Sequence, residues 1–440
     1  MAKYVIIIDI VGLEKRHISE ALTPNISKIS QGGETRNLET VFPAVTCTVQ
    51  SSLLSGTYPE VHGIISNGLF DKQNYAVSFW EQSSNLVQAD RIWDTLKMSG
   101  SSYKTAVLFW QNTMYSNADI VLTPRPLHMD ESMIMWCYSK PPGFYDKIAE
   151  KIGKFDLTSY WGPFTSRKSS EWIEQATEFV LENARPNLLF TYIPHLDYSF
   201  QKNGTSYSNL KDDLKFVDDL VGRLIKKVSD MGIIEDTQFI IFSEYGFTNV
   251  SSDIPLNTIL RENDVLSVRE IEGLEYLDLE YSKAFAMVDH QVAHIFIKEN
   301  YRNSVRKILE GIKGVELILD DELKQRFRIN HVRSGDLIAV SDKDKWFSYY
   351  WWYDPLKAPS FVRKVDIHRK PGYDPVELFF DPATKSIPLN GKLIKGSHGR
   401  LPSQPESGPV YVSNMKSFPK TNDAKNLSIV TIGKYLKSMV

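Results

Sequence analysis

The first strand of the fold is encoded by Tyr4-Val5-Ile6-Ile7-Ile8, a continuous apolar run that stops at the carboxylate of Asp9. A run without polar alternation is typical of a parallel strand that is buried on both faces of its sheet. Similar apolar runs recur at residues 105–109, 187–193 and 238–242. Amphipathic helical patterns separate these runs, for example at residues 170–184 and 210–231. The alternation predicts an α/β fold with a mostly parallel central sheet and helices on both faces.

The pattern changes after about Ile254. Residues 288–298 alternate and end in a strand-like segment at 294–298, residues 303–312 have the periodicity of a helix, and residues 315–319 are predicted to form another strand. We therefore predict a small α+β cap, residues 261–384, inserted into a main domain formed by residues 1–260 and 385–440. The tail over residues 403–420 is rich in Pro and Ser and is predicted to be irregular, before a helix from about Ile432.

An aromatic run lies inside the predicted cap, with the sequence Trp346-Phe347-Ser348-Tyr349-Tyr350-Trp351-Trp352-Tyr353. One interpretation is a cap strand packed on both faces, and the other is a wall on which a base could stack. We favour the packed strand, because aromatic side chains generally dominate hydrophobic cores.

Composition excludes several classes of protein. The 440 residues are 42% hydrophobic and 24% charged, with a net charge of −3 and no basic run, so a nucleic-acid polymer is not an expected partner. Cys47 and Cys137 are far apart, which excludes a disulfide scaffold or a thiolate zinc site and fits a reducing compartment. The apolar run before Asp9 is too short for a signal peptide, and no apolar stretch is long enough to span a membrane. These features predict a cytoplasmic protein that does not insert in membranes.

Acidic residues follow three of the predicted strands. Asp9 comes directly after the first run, Asp197 follows the run at 187–193, and Glu244 follows the run at 238–242. The carboxyl ends of parallel strands share one edge of a sheet, so the three carboxylates are predicted to converge there. Converging carboxylates repel each other unless a cation neutralises them, which indicates a metal site. The alternative is that one acid caps a helix and the others are solvated.

Thr46 begins a stretch with the pattern of a helix, Thr46–Ser55, which Gly56 is predicted to end. Free N–H groups and the positive end of the dipole make a helix N-terminus favourable for phosphate. A hydroxyl at this position beside a divalent cation can be deprotonated and attack phosphorus. The ordinary alternative is that Thr46 only caps the helix.

The surrounding sequence resembles a known family. The strings Phe42-Pro43-Ala44-Val45-Thr46 and Ser55-Gly56-Thr57-Tyr58-Pro59-Glu60-Val61-His62-Gly63-Ile64-Ile65-Ser66-Asn67 resemble the nucleophile segment of nucleotide pyrophosphatase/phosphodiesterases of the alkaline phosphatase superfamily. Phosphonoacetate hydrolases share the pattern. The spacing 67 − 46 = 21 matches the family's separation between its nucleophilic threonine and a phosphoryl-binding asparagine. The resemblance covers residues 1 to about 250 and resumes at Gly396-Ser397-His398-Gly399.

The resemblance implies a catalytic role for the main domain and a set of site residues. Thr46 would be the nucleophile, and Asn67 would stabilise charge on the phosphoryl oxygen. Two divalent metals would flank the nucleophile, zinc in the family at large. The positions that correspond to the family's metal ligands are Asp9, Thr46, Asp197, Gln201, Glu244, Tyr245 and His398. The implied mechanism is attack by Thr46, a covalent intermediate on the threonine, and hydrolysis of that intermediate by water.

Three of these positions depart from the family pattern. The family has histidine where this chain has Gln201, and Asp-His where it has Glu244-Tyr245. Only His398 remains as a matched imidazole, whereas zinc favours nitrogen and sulfur ligands. A set of carboxylates, an amide, a phenol and one imidazole suits manganese, iron, magnesium or calcium. We therefore predict altered or weakened metal loading.

Other histidines are weaker candidates, because an isolated histidine is usually structural. His195 lies two residues before Asp197, and Asp366 with His368 would point the same way from a strand as metal or substrate ligands. His290 and His294 are predicted at the entrance of the cap. Arg369 and Lys370 could instead contact an anionic substrate.

Three functional hypotheses remain from the sequence. The first is a metal-dependent hydrolase of phosphodiester, pyrophosphate or phosphonate bonds that acts on a small anionic phosphorus-containing substrate. The second is a degenerate, non-catalytic binding member of the same fold, suggested by the two missing histidines. The third is a phosphotransferase or mutase of the superfamily.

Overall fold

The computed structural model of the protein describes residues 2–129, 133–415 and 427–439. The strands are β1 (Tyr4–Ile10), β2 (Glu34–Glu39), β3 (Gly68–Asp71), β4 (Ala76–Phe79), β5 (Thr105–Leu108), β6 (Ile120–Pro124), β7 (Leu127–His128), β8 (Met133–Ile134), β9 (Cys137–Lys140), β10 (Leu188–Ile193), β11 (Thr237–Phe242), β12 (Thr248–Asn249), β13 (Ser252–Pro255), β14 (Ser267–Ile271), β15 (Leu274–Asp278), β16 (Ala284–Asp289), β17 (Val292–Ile297), β18 (Val315–Leu319), β19 (Leu337–Ser341), β20 (Lys345–Ser348), β21 (Gly396–Ser397), β22 (Val410–Ser413) and β23 (Leu427–Ser428). The helices are α1 (Pro24–Gly32), α2 (Thr46–Ser55), α3 (Pro59–His62), α4 (Ile92–Met98), α5 (Phe144–Ile152), α6 (Arg167–Ala184), α7 (His195–Asn203), α8 (Tyr207–Asp230), α9 (Leu256–Glu262), α10 (Arg302–Glu310), α11 (Asp321–Arg326) and α12 (Ile429–Lys437). Within those ranges, no helix is both long and apolar enough to cross a membrane.

The central sheet of the described chain has nine strands in the order β23-β2-β22-β11-β1-β10-β5-β6-β9. The strands from β11 through β1, β10 and β5 to β6 are parallel. The strand β22 runs antiparallel to both of its neighbours, and β9 runs antiparallel to β6. Helices flank this mixed sheet, so the predicted α/β fold is confirmed.

The apolar runs form strands for the reason the sequence suggests. All seven residues of β1 are buried, because the strand lies between β10 and β11 in the middle of the sheet. The run predicted at 105–109 ends one residue earlier, since Phe109 has a φ of 63° and leaves the strand. The helices predicted at residues 170–184 and 210–231 are Arg167–Ala184 and Tyr207–Asp230 in the structure, so both begin earlier than predicted.

The segment from about residue 254 to residue 373 builds a second hydrophobic core. Its main element is an antiparallel sheet in the order β16-β17-β19-β18. The alternating pattern predicted over 288–298 is split between β16 and β17, because the two residues after Asp289 form the hairpin turn. The helix predicted at 303–312 is Arg302–Glu310, since Gly311 follows as its C-cap.

The aromatic run is largely buried, with Tyr353 exposed, and only its first part, up to Ser348, is strand. Tyr349, Trp351 and Trp352 lie in the second core, which confirms the packing interpretation. Regular structure stops at Ser348 because side chains of α9 then take the place of a neighbouring strand. Their donors bind the carbonyls of Tyr349, Tyr350 and Trp351 in turn.

The prediction of an irregular tail over residues 403–420 is wrong for its middle part. Val410–Ser413 is the strand β22, which inserts between β2 and β11 in the central sheet. Its short apolar sequence follows Pro409 and is too brief to show a period. Residues 416–420 lie outside the described residues. The last helix begins at Ile429 rather than near Ile432, because the Ser428 hydroxyl accepts a hydrogen bond from the Thr431 N–H and caps it.

Candidate active site

The three acids predicted to converge do lie at one edge of the central sheet. Asp9 is the sixth residue of β1, and its Cα is in register with Tyr192 of β10 and Phe242 of β11. Glu244 follows β11 by two residues, and Asp197 lies in the first turn of α7, directly after β10. Because β1 lies between those strands, their carboxyl ends bring the acids together.

The three carboxylates are buried without full compensation. Among the described residues, Oδ1 of Asp9, Oδ1 of Asp197 and both side-chain oxygens of Glu244 have no hydrogen-bond partner. Burial raises the pKa of Asp197 and of Glu244 to about 7. Burial, and next the Glu244 carboxylate, raise the pKa of Asp9 well above its usual range. Such a cluster holds either protons or a cation.

Thr46 is the first residue of α2 rather than its cap, so the capping interpretation is wrong. The N-cap is Val45, whose backbone is extended because the preceding Ala44 N–H donates to the Gly399 carbonyl. The Thr46 side chain is therefore not used for capping. Its Oγ1 shares a hydrogen bond of 2.9 Å with the phenol of Tyr245.

Gln50 is a site residue that we did not predict. It lies one turn after Thr46 on a helix whose residues are all buried. Its Nε2 donates to Asp9 Oδ2 at 3.2 Å, and its Oε1 accepts from the Gln111 N–H at 2.7 Å. The available signal was a large polar side chain on the same helix face as Thr46.

Asn67 lies beside the start of α2, as its predicted role requires. Its Oδ1 accepts a hydrogen bond of 2.9 Å from the Cys47 N–H, next to Thr46 in the chain. Its Nδ2 donates to Oδ1 of Asp289, a residue of the second core, at 3.2 Å. Nothing in the sequence pattern singled out Asp289.

Asp197, Gln201 and His398 come together as predicted. Gln201 Nε2 donates to Asp197 Oδ2 at 2.8 Å, and Gln201 Oε1 accepts from the Tyr373 phenol at 3.0 Å. His398 Nδ1 donates to the Ala44 carbonyl at 2.8 Å, which leaves the Nε2 lone pair 3.7 Å from Asp197 Oδ1. Burial lowers the pKa of His398 well below its usual value, so the imidazole is a neutral donor of a lone pair.

Four rings form a continuous stack across the site. Tyr245 stacks on His398 with centroids 3.6 Å apart, and His290 contacts His398 at 3.8 Å. Tyr373 stacks on His290 at 3.8 Å. His290 therefore joins the site from the hairpin turn between β16 and β17, with its Nδ1 2.7 Å from Asp289 Oδ1. Its Nε2 has no hydrogen-bond partner in the described part of the chain.

Asp366 and His368 are not brought into the site. Residues 367–369 form a turn rather than a strand, and His368 is exposed, so the two side chains do not share a strand face. Lys370 is also unavailable to a substrate, because it is buried and donates to Asp374 at 2.7 Å and to Glu377 at 2.6 Å.

His195 and His294 are held in other contacts. His195 Nε2 lies 2.9 Å from Asp213 Oδ1. His294 uses both ring nitrogens, one against the Ile65 carbonyl at 3.1 Å and the other accepting from the Gly335 N–H at 3.1 Å. The contacts of His294 are structural, whereas a ligand role for His195 stays a prediction.

The donors form two pairs rather than a complete metal centre. Nowhere in the described ranges do three or more His, Cys, Asp or Glu side chains come together in an arrangement that could hold a metal ion. Asp9 lies near Glu244, whose charge acts on it, and Asp197 faces His398. The unpartnered carboxylate oxygens and the hydroxyl of Thr46 fit an oxygen-preferring cation better than the nitrogen-rich shell of zinc.

A family model described as type I phosphodiesterase / nucleotide pyrophosphatase matches residues 5–374. The chain belongs to this family. The family predicted from the sequence is therefore confirmed.

Curated phosphodiesterase-family relatives are distant in sequence. The chain is 24% identical over 328 residues to a bis(5'-adenosyl)-triphosphatase of Pongo abelii, covering 72% of this chain and 59% of the relative. It is 26% identical over 267 residues to ectonucleotide pyrophosphatase/phosphodiesterase family member 1 of Homo sapiens, covering 59% of this chain and 25% of the relative. The chain therefore spans about three fifths of the length of the first relative and a quarter of the second.

Solved structures of the type I phosphodiesterase fold extend over nearly the whole chain. Phosphonoacetate hydrolase from Sinorhizobium meliloti 1021 has a TM-score of 0.63 and 17% identity, covering 99% of this chain and 96% of that one. Human ectonucleotide pyrophosphatase/phosphodiesterase 5 also has a TM-score of 0.63 and 17% identity, covering 99% and 94%. At this identity the likeness shows the shared fold.

Proposed function

We propose that this chain is a metal-assisted hydrolase of phosphodiester, pyrophosphate or phosphonate bonds that uses Thr46 as its nucleophile. The observation that carries the proposal is the position of the Thr46 hydroxyl. It lies at the buried start of α2, is not used as a cap, and shares a hydrogen bond of 2.9 Å with Tyr245, the residue after Glu244. Membership of the type I phosphodiesterase family supports the same reaction class.

The side chains around Thr46 are suited to hold a divalent cation. Asp9 and Glu244 offer unpartnered, buried oxygens beside the hydroxyl, and Asp197 with His398 offers a second pair of donors. A bound cation would lower the pKa of a hydroxyl and neutralise charge on the phosphoryl group. Manganese, magnesium, iron or calcium suits these donors, whereas zinc is the expectation from the family pattern.

The residues of the chain have separate roles in the proposed reaction. The Thr46 oxygen forms a bond to phosphorus as the bond to the leaving group breaks, and the leaving group departs with the threonine proton. Water then cleaves the phosphorus–threonine bond and restores the hydroxyl. Asn67 Nδ2 donates to the non-bridging oxygen, and Gln50 holds Asp9 in place through its own amide.

The proposed substrate is a small phosphorus-containing anion. The named relatives include a bis(5'-adenosyl)-triphosphatase, and the matching structures include a phosphonoacetate hydrolase and a murine family member in complex with AMP. These names span nucleotides and phosphonates. We therefore propose the class of substrate and not one member of it.

A non-catalytic binding protein is the second candidate, and one observation favours it. Tyr245 and Gln201 stand where the family pattern has histidines, and the Tyr245 ring stacks on His398. The phenol therefore fills space beside the imidazole that would bind metal. A phosphotransferase is a third candidate, which differs only in the acceptor that cleaves the intermediate.

Hydrolysis of bis-p-nitrophenyl phosphate by variants at Thr46 tests the proposal. We expect Thr46→Ala to lower kcat at least about 100-fold, since it removes the nucleophile. Thr48→Ser, a buried position on the same helix, is the matched control. Removal of metal with a chelator should abolish activity, and manganese should restore it.

Three other outcomes of that assay would change the assignment. Full activity of Thr46→Ala removes Thr46 from the mechanism. An inactive wild type under every divalent metal favours the binding protein. Transfer of the phosphoryl group to an added alcohol, faster than to water, favours the phosphotransferase.

A further inference from the structure

The carboxylate of Asp289 is a buried acceptor shared between the second core and the candidate site. Asp289 ends β16, and its residue is fully buried. Its Oδ2 accepts from Ser66 Oγ at 2.7 Å and from the Asn67 N–H at 2.8 Å. Its Oδ1 accepts from Asn67 Nδ2 at 3.2 Å and lies 2.7 Å from His290 Nδ1. Three of these four contacts are therefore with the segment that carries Asn67.

These contacts fix which way the Asn67 amide points. The Cys47 N–H can only donate, so the Asn67 atom that faces it is Oδ1. The Asp289 carboxylate accepts, so the Asn67 atom that faces it is Nδ2. The two hydrogen bonds thus determine the positions of Oδ1 and Nδ2. The second N–H of Nδ2 remains available to a ligand oxygen.

The residues after Asp289 reach the other side of the site. His290 contacts the ring of His398, and the Gln291 N–H donates to the His398 carbonyl at 2.9 Å. Of three consecutive residues in the β16–β17 hairpin, Asp289 therefore contacts Asn67, and the next two contact His398. This hairpin tip belongs to the walls of the site.

We propose that Asp289 is a positioning residue, which orients the Asn67 amide so that its remaining N–H meets the phosphoryl oxygen of the substrate. The proposal rests on the proposed function, because a phosphoryl oxygen is the acceptor for that N–H. An asparagine at position 289 keeps the shape of the side chain but replaces an acceptor with an NH2 group. In the place of Oδ1 that group opposes Asn67 Nδ2, and in the place of Oδ2 it opposes the Asn67 N–H, so in either orientation Asn67 loses one of the acceptors that hold it.

A double-mutant cycle on bis-p-nitrophenyl phosphate hydrolysis tests the coupling. We expect Asn67→Ala to lower kcat/KM by about 100-fold, the loss typical of one oxyanion donor. Asp289→Asn should lower it by about tenfold in the wild-type background, and by less than about twofold in the Asn67→Ala background. Asp336→Asn, which alters another carboxylate of the second core, is the control and should leave kcat/KM unchanged. Equal losses in both backgrounds would overturn the proposal, because a structural role acts whether or not the amide is present.

Crystal structures of the wild type and of Asp289→Asn give a second readout that needs no turnover. We expect the Asn67 amide to leave the Cys47 N–H in the variant while the fold is retained. An unmoved amide would overturn the positioning role. If Thr46→Ala hydrolyses the substrate as fast as the wild type does, the proposed function fails. The two crystal structures would still decide whether Asp289 orients Asn67.

Discussion

Thr46 lies one position after the N-cap of α2, so its hydroxyl is not used for capping. As a helix cap, its oxygen would accept a hydrogen bond from the backbone of α2. Because Val45 takes the cap position, the hydroxyl instead meets the phenol of Tyr245 at 2.9 Å. The Thr46 hydroxyl, which does not cap the helix, is buried, as are the unpartnered oxygens of Asp9 and Glu244 at the same edge of the sheet.

Residues at the ends of strands and residues of the family motifs could be predicted, whereas Asp289 could not. Asp9, Asp197 and Glu244 were predictable because parallel strands share one carboxyl edge. Asp289 comes from the second core, 222 residues after Asn67, and the neighbouring His290 was only a weaker candidate at the cap entrance. Neither a period nor a local motif encodes such a long-range pairing.

Restoring the imidazoles of the family pattern should strengthen zinc binding. We expect the double variant Gln201→His/Tyr245→His to bind Zn²⁺ at least about tenfold more tightly than wild type, because nitrogen ligands replace an amide and a phenol. Competition with a chromophoric chelator measures the affinity. His368→Gln, at an exposed position, is the control. Unchanged zinc affinity in the double variant would show that positions 201 and 245 do not face a metal.

At the scale of elements, the buried faces of the helices explain why periodicity predicted them well. The helix α6 packs against β10 on one side and against α8 on another. This double contact buries Glu174 almost completely, 3.7 Å from Arg223 of α8 and with its Oε1 unpartnered among the described residues. Burial raises the pKa of Glu174 to about 8, with the neighbouring Glu178 next in effect.

Replacing Glu174 should change how stability depends on pH. The folded protein binds this proton more tightly than the unfolded chain does, since the pKa rises from 4.5 to about 8. Wild-type stability is therefore lost progressively as pH rises from about 4.5 to about 8. Glu174→Gln should match the wild type near pH 4 and exceed it above pH 8 by on the order of 1 kcal/mol.

Urea unfolding followed by circular dichroism at several pH values measures this difference. Glu171→Gln, at a partly exposed position of the same helix, is the control. A constant difference between Glu174→Gln and wild type across the pH range would contradict the burial account.

Short segments whose structure depends on tertiary contacts were not predicted correctly from the sequence patterns. The strand β22 has only four residues, and its place is decided by pairing with β2 and β11. The second half of the aromatic run has strand-forming residues, yet donors from α9 take its carbonyls. In both cases tertiary contacts override local propensity.

At the scale of the molecule, two hydrophobic cores are joined around the nucleophile segment. The first core draws on the central sheet and its helices, and the second draws mainly on residues 254–373. Arg333, in the segment of the second core, links this segment to the nucleophile segment and its continuation, because Nη1 donates to the Gly63 carbonyl at 3.0 Å and to the Leu86 carbonyl at 2.7 Å. The domain boundaries at residues 261 and 384 stay a prediction.

Removing the Arg333 contact should loosen the junction between the cores. We expect Arg333→Ala to lower the free energy of unfolding by about 1–3 kcal/mol, because two carbonyls lose a charged donor. Thermal unfolding followed by calorimetry measures the loss. Arg326→Ala, at an exposed position of α11, should have little effect, and equal Tm values for all three proteins would refute the role of Arg333.

The most direct measurement of the central claim is the anomalous signal from a crystal soaked in manganese. Our account predicts a strong peak in coordination range of the Asp9 and Glu244 carboxylates and the Thr46 oxygen, with a second peak between Asp197 and His398 if both sites fill. A crystal that binds manganese elsewhere, or not at all, while Thr46 stays hydrogen-bonded to Tyr245, would contradict the assignment of Thr46 as a metal-assisted nucleophile.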